Sequence, residues 1–273
     1  MATNPMNNDP IAGPPEGSSR DVPYLTYFHL LADVHRRLRP ARYLEIGVHQ
    51  GHSLGLVRPQ TKILGVDPEP RITTLDHPDW TVVADTSAGF FKSHDVSVLL
   101  GGPVDLAFVD GLHHFEVAMA DVLAIEPYAH PGTVVLVHDV LPIDAATSTR
   151  NRTTAVWSGD VWKALVLLRE HRPDLTITTL DVEPTGMAVV TGFDDRPSTS
   201  AATPHDDLWV SAAVSKMMSV TYDDLQAMGQ SETLGLSPGT PRSLEGCLPV
   251  PRVPWRPQPG AVPGATPKIH GRS

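Results

Sequence analysis

Short apolar segments alternate with helical patterns through residues 21–195, and this alternation restricts the fold more than any other feature. Seven segments have the length and composition of strands: 42–48, 62–66, 80–84, 104–109, 133–137, 175–180 and 187–191. Helical periodicity fills most of the intervals, at 24–38, 87–100, 115–128 and 161–168. Nearly continuous apolar strands that alternate with helices are typical of a parallel sheet buried on both faces.

The last two predicted strands are joined differently from the others. Residues 181–186 separate them and contain Pro184-Thr185-Gly186, so the connection is too short for a helix. Strands joined by such a short turn pair antiparallel as a hairpin. The sequence therefore predicts an α/β fold, a Rossmann-like, doubly wound, mostly parallel seven-stranded sheet with a C-terminal antiparallel hairpin.

Composition divides the chain into four zones. Residues 1–20 are rich in Asn, Pro, Gly and Ser and are predicted to be disordered, because they offer little apolar surface to bury. Residues 21–195 are predicted to form the α/β domain, and 196–235 a helical extension with a helical stretch across 206–230. Residues 236–273 contain nine prolines, a density that predicts an extended tail without helix or interior strand.

Charge and composition argue against several classes of partner. The 31 acidic and 21 basic side chains give a net charge of -10, and no basic stripe predicts a nucleic-acid surface. Cys247 is the only cysteine, which excludes a disulfide framework and a thiolate metal cluster. No apolar run approaches the roughly 18 residues of a membrane span, and 1–20 lack a signal-peptide pattern. We expect a soluble, cytoplasmic protein that binds neither nucleic acid nor membranes.

Acidic residues follow five successive predicted strands. Ligands of open α/β sheets bind at the carboxyl ends of the strands, and here those ends carry Glu45, Asp67, Asp85, Asp110 and Asp139. Each alone is explained equally well as an ordinary turn or cap residue. Five like charges along one edge, however, require compensation by a cation or by hydrogen-bond donors. The pattern predicts a ligand that is positively charged or rich in hydroxyl and amino groups.

The first strand-to-helix turn narrows the choice of ligand. Gly47 and Gly51 permit a tight turn and close approach of a ligand to the backbone, and Asp67 can accept both hydroxyls of a ribose. The dinucleotide fingerprint G-x-G-x-x-G is absent, because His49 and His52 replace its second and third glycines. A group of carboxylates suits a ligand that carries an ammonium and a sulfonium better than a ligand that carries a pyrophosphate. The turn therefore favours S-adenosylmethionine over NAD.

Four segments carry a resemblance to a known family. LEIGVHQGHS at 44–53, GVD at 65–67, VVAD at 82–85 and LAFVDGLHHFEVAMADV at 106–122 resemble the successive motifs of class I S-adenosylmethionine-dependent methyltransferases. The terminal antiparallel hairpin is also typical of that family. VDGLHH at 109–114 and VLVHDV at 135–140 are similar to the small-molecule O-methyltransferases of the macrocin and mycinamicin type.

The resemblance implies roles for the acidic edge. Residues Glu45, Gly47 and Gly51 would line the methionine part of the cofactor, with Asp67 at the ribose and Asp85 near the adenine amino group. Asp110 would adjoin the cofactor and, with Asp139, hold a divalent metal, for which Mg²⁺ is the candidate. The family pattern often has two adjacent acids where this chain has His138-Asp139, so the metal would gain a nitrogen ligand, bind more weakly or be absent.

A hydroxyl acceptor needs a base, and histidines and aromatic residues near the edge are the candidates for catalysis and substrate binding. His113 is the first choice, from its place three residues after Asp110 and from the resemblance, with His114 and His138 as alternatives. Segment 147–163 is predicted to arch over the edge as a substrate lid. Its candidate substrate contacts are Arg150, Arg152, Trp157 and Trp162, although Trp162 is explained better as a core residue of the next helix.

The remaining aromatic and histidine residues give weaker signals. Tyr24 and Tyr27 precede the first strand, where they can close the cofactor pocket, but packing on a helix face explains Tyr27 equally well. The other histidines show no ligand spacing, so we predict surface positions for His35, His77, His94, His130, His171, His205 and His270.

The sequence as a whole predicts a methyltransferase of secondary metabolism that acts on a hydroxyl of a small molecule, such as a sugar or a glycosylated metabolite. Three alternatives stay open: a metal-independent methyltransferase acting on another nucleophile, a nicotinamide-dependent oxidoreductase, and a binding protein that has kept the fold without catalysis. The helical extension also suggests a homo-oligomer.

Overall fold

A twisted eight-stranded sheet forms the centre of the computed structural model, which describes residues 21–194 and 208–249. The strand order is β3-β2-β1-β4-β5-β7-β6-β8, with β7 antiparallel to both of its neighbours. The strands are β1 (Arg42–Ile46), β2 (Lys62–Asp67), β3 (Trp80–Ala84), β4 (Leu106–Val109), β5 (Val134–His138), β6 (Thr176–Asp181), β7 (Met187–Thr191) and β8 (Leu236–Pro238). The predicted doubly wound α/β fold with its antiparallel hairpin is confirmed.

Helices cover the sheet on both sides. They are α1 (Tyr27–Leu38), α2 (Ser87–Ser93), α3 (Val96–Leu100), α4 (Phe115–Ile125), α5 (Trp162–His171), α6 (Leu208–Met217), α7 (Tyr222–Met228), α8 (Gln230–Leu234) and α9 (Pro241–Cys247). Central strands β4 and β5 are buried along their whole length, because apolar clusters lie on both of their faces. None of the described helices combines the length and the apolar character that crossing a bilayer requires.

The prediction of an extended tail from residue 236 is wrong for residues 236–249. Strand β8 pairs parallel with β6 as an eighth strand, and α9 follows it. Proline is compatible with both elements, because Pro238 ends an edge strand and Pro241 occupies the first helical turn, where no backbone N–H is required. The predictions for 1–20, 195–207 and 250–273 lie outside the described residues.

Two of the histidines predicted at the surface are buried. His77 lies beside the backbone carbonyl of Arg58, with its Nε2 2.9 Å from that oxygen. His35 is only 1% exposed and packs edge-on against Tyr43 at 4.7 Å, and neither ring nitrogen has a hydrogen-bond partner among the residues that the structure describes. Burial lowers the pKa of His35 to about 3. Among the other histidines of that group, His94, His130 and His171 are half-buried, and His205 and His270 lie outside the described residues.

The burial of His35 predicts a specific pH dependence of stability. Below its ordinary pKa of 6.5 the unfolded chain binds a proton that the folded chain excludes until pH falls to about 3, so stability is lost across this interval. We expect His35→Leu to remove this loss. Its free energy of unfolding relative to the parent protein should rise by about 2 kcal/mol between pH 7.5 and pH 5, measured by urea denaturation. The same measurement on His52→Gln, at an exposed histidine, should show no such rise.

Candidate active site

The five acidic residues lie along the carboxyl edge of the sheet in the spatial order of the strands. From β3 across to β5 this order is Asp85, Asp67, Glu45, Asp110 and Asp139. The order in which strands are added reverses between β1 and β4, because β2 and β3 lie on one side of β1 and β4 and β5 lie on the other. A crevice opens at such a switch point in open α/β sheets. Among the described residues, no lysine or arginine forms an ion pair with any of the five. Histidines, hydroxyls and backbone amides are therefore the groups that stabilise their negative charge.

Gly47 brings the two sides of the switch point into contact. Its φ is +88°, and a Cβ atom at this position would lie 2.1 Å from the backbone oxygen of Asp110. The amide of Gly47 donates to Val66 at 2.8 Å, and the amide of Asp110 donates to Ile46 at 2.8 Å. Only glycine combines this left-handed conformation with so close an approach.

Asp67 holds the glycine turn in place. Its Oδ2 accepts hydrogen bonds from the amides of Val48 at 2.9 Å and His49 at 2.7 Å, and its Oδ1 accepts one from Glu69 at 2.7 Å. His49 has a left-handed backbone with a φ of +47°, which these bonds stabilise. A carboxylate oxygen has two lone pairs, so Oδ1 retains one acceptor site for a ligand hydroxyl.

Glu45 does not line the crevice, contrary to the prediction. Its carboxyl group is fully buried and accepts hydrogen bonds from Tyr43, at 2.6 Å, and from Ser53. Burial raises the pKa of Glu45 to about 8, although these two hydrogen bonds oppose the rise. Glu45 therefore supports the turn from inside the protein.

Asp85 and Gly51 remain at the edge but apart from the acids of β4 and β5. Asp85 is half-buried and accepts a hydrogen bond from the amide of Thr86 at 2.7 Å, at the start of α2. Gly51, with a φ of +76°, closes the glycine turn through a bond from its amide to Val48 at 2.8 Å.

Four residues converge where β4 and β5 end. His138 Nδ1 lies 3.1 Å from Asp110 Oδ1 and 3.3 Å from Asp139 Oδ2. His113 approaches the same two oxygens, with its Nε2 3.1 Å from Asp139 Oδ2 and 3.7 Å from Asp110 Oδ1. One ligand atom from each of Asp110, His113 and Asp139 falls within 4.8 Å of the others, an arrangement that can hold a metal ion.

His138 neutralises part of the negative charge of Asp110 and Asp139. Its burial lowers the pKa of the ring, but Asp110 and Asp139 outweigh burial and raise that pKa to about 10. Asp139 has a left-handed φ of +61° and also accepts a hydrogen bond from the hydroxyl of Thr185. Burial alone would raise the pKa of Asp139, whereas His138 holds it below its ordinary value. Sequence reasoning missed Thr185, whose only signal was its place in the turn of the terminal hairpin.

His113 is held by residues of segment 147–163. Its Nδ1 lies 2.8 Å from the backbone oxygen of Trp157, and its ring stacks on the Trp157 ring at 4.6 Å with an interplanar angle of 18°. His114 points elsewhere, since its Nε2 lies 3.2 Å from the backbone oxygen of Arg150. The structure thus brings together His113, His138, Asp110 and Asp139 and leaves His114 outside.

The other three predicted substrate contacts have different surroundings. Arg150 forms ion pairs with Glu116 and Asp160, and the hydrogen bond to Glu116 raises its pKa. Arg152 is exposed and bonds to the backbone oxygen of Ala155 at 2.9 Å. Trp162 is 1% exposed within an apolar cluster, so its assignment to the substrate is wrong.

The two tyrosines that precede β1 have different surroundings. Tyr27 packs against His138, with ring centroids 4.0 Å apart, and its pKa is raised by burial and by Asp110 and Asp139. Tyr24 is buried beside α1 and donates to Asp33 at 2.6 Å, which places it in the helix packing instead of the site.

Comparison with known proteins finds a family match over part of the chain. Residues 44–140 match a family described as a methyltransferase domain. This range contains Gly47, Asp67, Asp110 and Asp139. No curated protein matches the sequence.

Several solved structures are similar to this one. Cofactor-bound Rv0187 from MTB is 19% identical, covering 62% of this chain and 80% of its own, with a TM-score of 0.48. The O-methyltransferase TomG from Streptomyces achromogenes, in complex with SAM, is 18% identical and covers 61% and 79%, with a TM-score of 0.46. An O-methyltransferase from Bacillus cereus in complex with SAH is 14% identical and covers 64% and 83%, with a TM-score of 0.44.

Proposed function

We propose that this protein transfers a methyl group from S-adenosylmethionine to a hydroxyl of a small molecule. The observation that carries the proposal is the cluster of Asp110, His113 and Asp139 directly beside the Gly47 turn, at the switch point of the sheet. The match of residues 44–140 to a methyltransferase domain family supports the same reaction.

The edge of the sheet fits a positively charged methyl donor. The glycine turn offers close approach to the backbone, and the free acceptor site on Asp67 Oδ1 suits a ribose hydroxyl. Asp85 stands at the far end of the edge, where we place the adenine amino group, and Asp110 adjoins the turn. S-adenosylmethionine supplies a methyl group on a sulfonium, whose charge these carboxylates would stabilise.

The donors around Asp110 and Asp139 fit a divalent cation. Carboxylate oxygens are preferred ligands of Mg²⁺ and Mn²⁺, so Asp110 and Asp139 would hold the cation and leave Nε2 of His113 free of it. A cation held here would lower the pKa of a hydroxyl bound to it. The chain's own contribution is to fix the two carboxylates: His138 contacts both of them, and the hydroxyl of Thr185 donates to Asp139.

We assign the role of general base to His113. A carbonyl oxygen only accepts, so Nδ1 is the ring nitrogen that donates to Trp157, and His113 acts as a base in the form that has no proton on Nε2. When Nε2 takes the proton of the acceptor hydroxyl, the new positive charge lies against Asp139 at 3.1 Å. His138 is not the base, because Asp110 and Asp139 raise its pKa to about 10 and so keep the ring protonated, and its Nε2 is buried.

Titration calorimetry with two cofactors tests the proposal. We expect S-adenosylmethionine to bind in the micromolar range, corresponding to about 8 kcal/mol, and NAD to show no binding at the same concentrations. Tight NAD binding without S-adenosylmethionine binding would overturn the proposal in favour of an oxidoreductase.

Mass-shift screening against hydroxylated small molecules then identifies the acceptor. We expect a product heavier by one methylene group and strong inhibition of its formation by a chelator. Full activity in the presence of the chelator would remove the metal from the mechanism, and the metal-independent alternative would hold. Cofactor binding with no methylated product from any acceptor class would favour the binding-protein alternative.

Several finer features are proposed on the sequence alone. They are the macrocin and mycinamicin type, a sugar or glycosylated acceptor, a place in secondary metabolism, a cytoplasmic location and a homo-oligomeric state. The acceptor screen tests the first three, and sedimentation analysis tests the last.

A further inference from the structure

We propose that Thr185, in the turn between β6 and β7, is the positioning residue of the candidate cation site. Its hydroxyl holds the Asp139 carboxylate in the orientation that directs one oxygen toward Asp110 and His113. The inference rests on the proposed function, because it concerns the same two carboxylates. It also makes the terminal hairpin part of the site, although no motif of the sequence pointed to that turn.

The two oxygens of the Asp139 carboxylate have different partners. Oδ1 accepts the hydrogen bond from the hydroxyl of Thr185. Oδ2 lies 3.1 Å from His113 Nε2 and 3.3 Å from His138 Nδ1. Because a carboxylate is planar, a donor fixed to one oxygen restricts the rotation of the group and so determines where the other oxygen points. Hydrogen bonds of this kind orient the carboxylates that bind metals in proteins.

A backbone contact fixes the position of Thr185 relative to Asp139. The carbonyl oxygen of Thr185 accepts a hydrogen bond from the amide of Leu141 at 2.7 Å, so Thr185 contacts the chain at residues 139 and 141. Between these two contacts the chain leaves β5, and Asp139 has a left-handed φ of +61°. A residue other than glycine keeps such a conformation where surrounding contacts stabilise it, and the two bonds from Thr185 are contacts of this kind.

The turn that carries Thr185 is itself anchored. The amide of Gly186 donates to the backbone oxygen of Val182 at 2.8 Å, which closes the turn. The amide of Tyr27, at the start of α1, donates to the backbone oxygen of Glu183 at 2.9 Å. Gly186 has a φ of +70°, and a Cβ atom there would lie 2.6 Å from the Cβ atom of Leu141. The turn therefore lies directly against the chain that follows β5, and α1 holds it from a second side.

Burial strengthens the contact between Thr185 and Asp139. Thr185 is fully buried and Asp139 is 5% exposed, so the pair is shielded from bulk water. A carboxylate only accepts, which makes the Thr185 hydroxyl the donor. Hydrogen bonds to an ionised acceptor are about twice as strong as those between neutral groups. We therefore expect loss of this hydroxyl to leave the Asp139 carboxylate free to rotate away from Asp110.

Titration calorimetry of the full-length protein with Mn²⁺ tests the inference. Thr185→Val keeps the branched shape of the side chain and removes the hydroxyl. We expect it to lower Mn²⁺ affinity by about tenfold or more, the scale on which residues that orient metal ligands act. The electron paramagnetic resonance spectrum of Mn²⁺ at saturation should change as well, because it reports the arrangement of the ligands. Thr185→Ser restores the hydroxyl and should bind Mn²⁺ within about threefold of the parent protein.

Thr179→Val is the matched control. Thr179 lies on β6, is also fully buried, and donates from its hydroxyl to the backbone oxygen of Leu234 at 2.6 Å. The variant therefore removes a buried hydrogen bond of the same residue type, but β7 lies between this strand and β5. We expect Mn²⁺ affinity within about twofold of the parent protein, since no ligand of the cation is touched. Urea denaturation measures the stability that each valine variant loses.

Four results would overturn the inference: parent-like Mn²⁺ affinity in Thr185→Val, an equally weak Thr185→Ser, the same loss in Thr179→Val, or no Mn²⁺ binding by the parent protein. If Thr185→Val does not fold, Thr185→Ala removes the same hydroxyl with a smaller side chain, and the same loss of affinity is expected of it. Failure of the proposed methyl transfer is distinguishable from these results. It would appear as absent S-adenosylmethionine binding in the parent protein, whereas the Mn²⁺ titration needs neither cofactor nor acceptor.

Discussion

Replacing Asp139 by asparagine is expected to weaken the binding of Mn²⁺ by about 100-fold, or roughly 2.7 kcal/mol. Asparagine keeps the shape of the side chain and tolerates the left-handed φ of +61°, so the backbone should be preserved. What is lost is one of the two negative charges that the cation would contact. Titration calorimetry and the electron paramagnetic resonance spectrum of bound Mn²⁺ measure the effect, and methyl transfer should fall with the occupancy of the cation.

The matched control removes an acid that lies elsewhere. Asp223→Asn, at an exposed position of α7, makes the same change in net charge and should leave Mn²⁺ affinity within about twofold, since surface charges are screened by salt. Asp110→Asn should resemble Asp139→Asn. If both asparagine variants bound Mn²⁺ as tightly as the parent protein, the cation would lie at another site.

Sequence reasoning predicted the edge of the sheet well, because strand ends are local features. Asp110 and Asp139 each follow an apolar strand directly, and two adjacent parallel strands must bring such residues together. The same reasoning expected Glu45 to line the crevice, but Glu45 lies within β1, one residue before its end, where successive side chains point to opposite faces of the sheet. The hydroxyls of Tyr43 and Ser53 donate hydrogen bonds to the Glu45 carboxyl in the interior, and no local sequence pattern predicted these contacts.

Contacts between distant segments could not be predicted from local patterns. Trp157 contacts His113 through its backbone oxygen, a group that every residue possesses, and the two residues are 44 positions apart. Thr185 reaches Asp139 only because β7 pairs with β5. Strand pairing also explains β8. The density of prolines predicted no strand there, but the otherwise unpaired edge of β6 provides hydrogen-bonding groups with which β8 pairs.

Substituting alanine for Gly47 is expected to abolish S-adenosylmethionine binding, with a loss of affinity of at least about 100-fold. The new Cβ would lie 2.1 Å from the backbone oxygen of Asp110, and nearby atoms of that peptide and of Gly111 are closer than 3 Å as well. Both neighbours are backbone atoms, so the clash cannot be relieved by rotating a side chain. The turn after β1 and the loop after β4 must move apart, and this movement displaces Asp110 from Asp139. Titration calorimetry with S-adenosylmethionine measures the loss, and circular dichroism shows whether the fold persists.

Gly101→Ala distinguishes steric exclusion from simple backbone strain. Gly101 has a φ of +75°, close to that of Gly47, but no atom lies within 4 Å of its Cβ position. The strain of a left-handed alanine costs about 1–2 kcal/mol at either site, so both variants should lose similar stability from this cause. Only Gly47→Ala should also lose the cofactor. Equal cofactor affinity in the two variants would contradict the assignment of the glycine turn to cofactor binding, because contact between Gly47 and Asp110 would then have no bearing on the ligand.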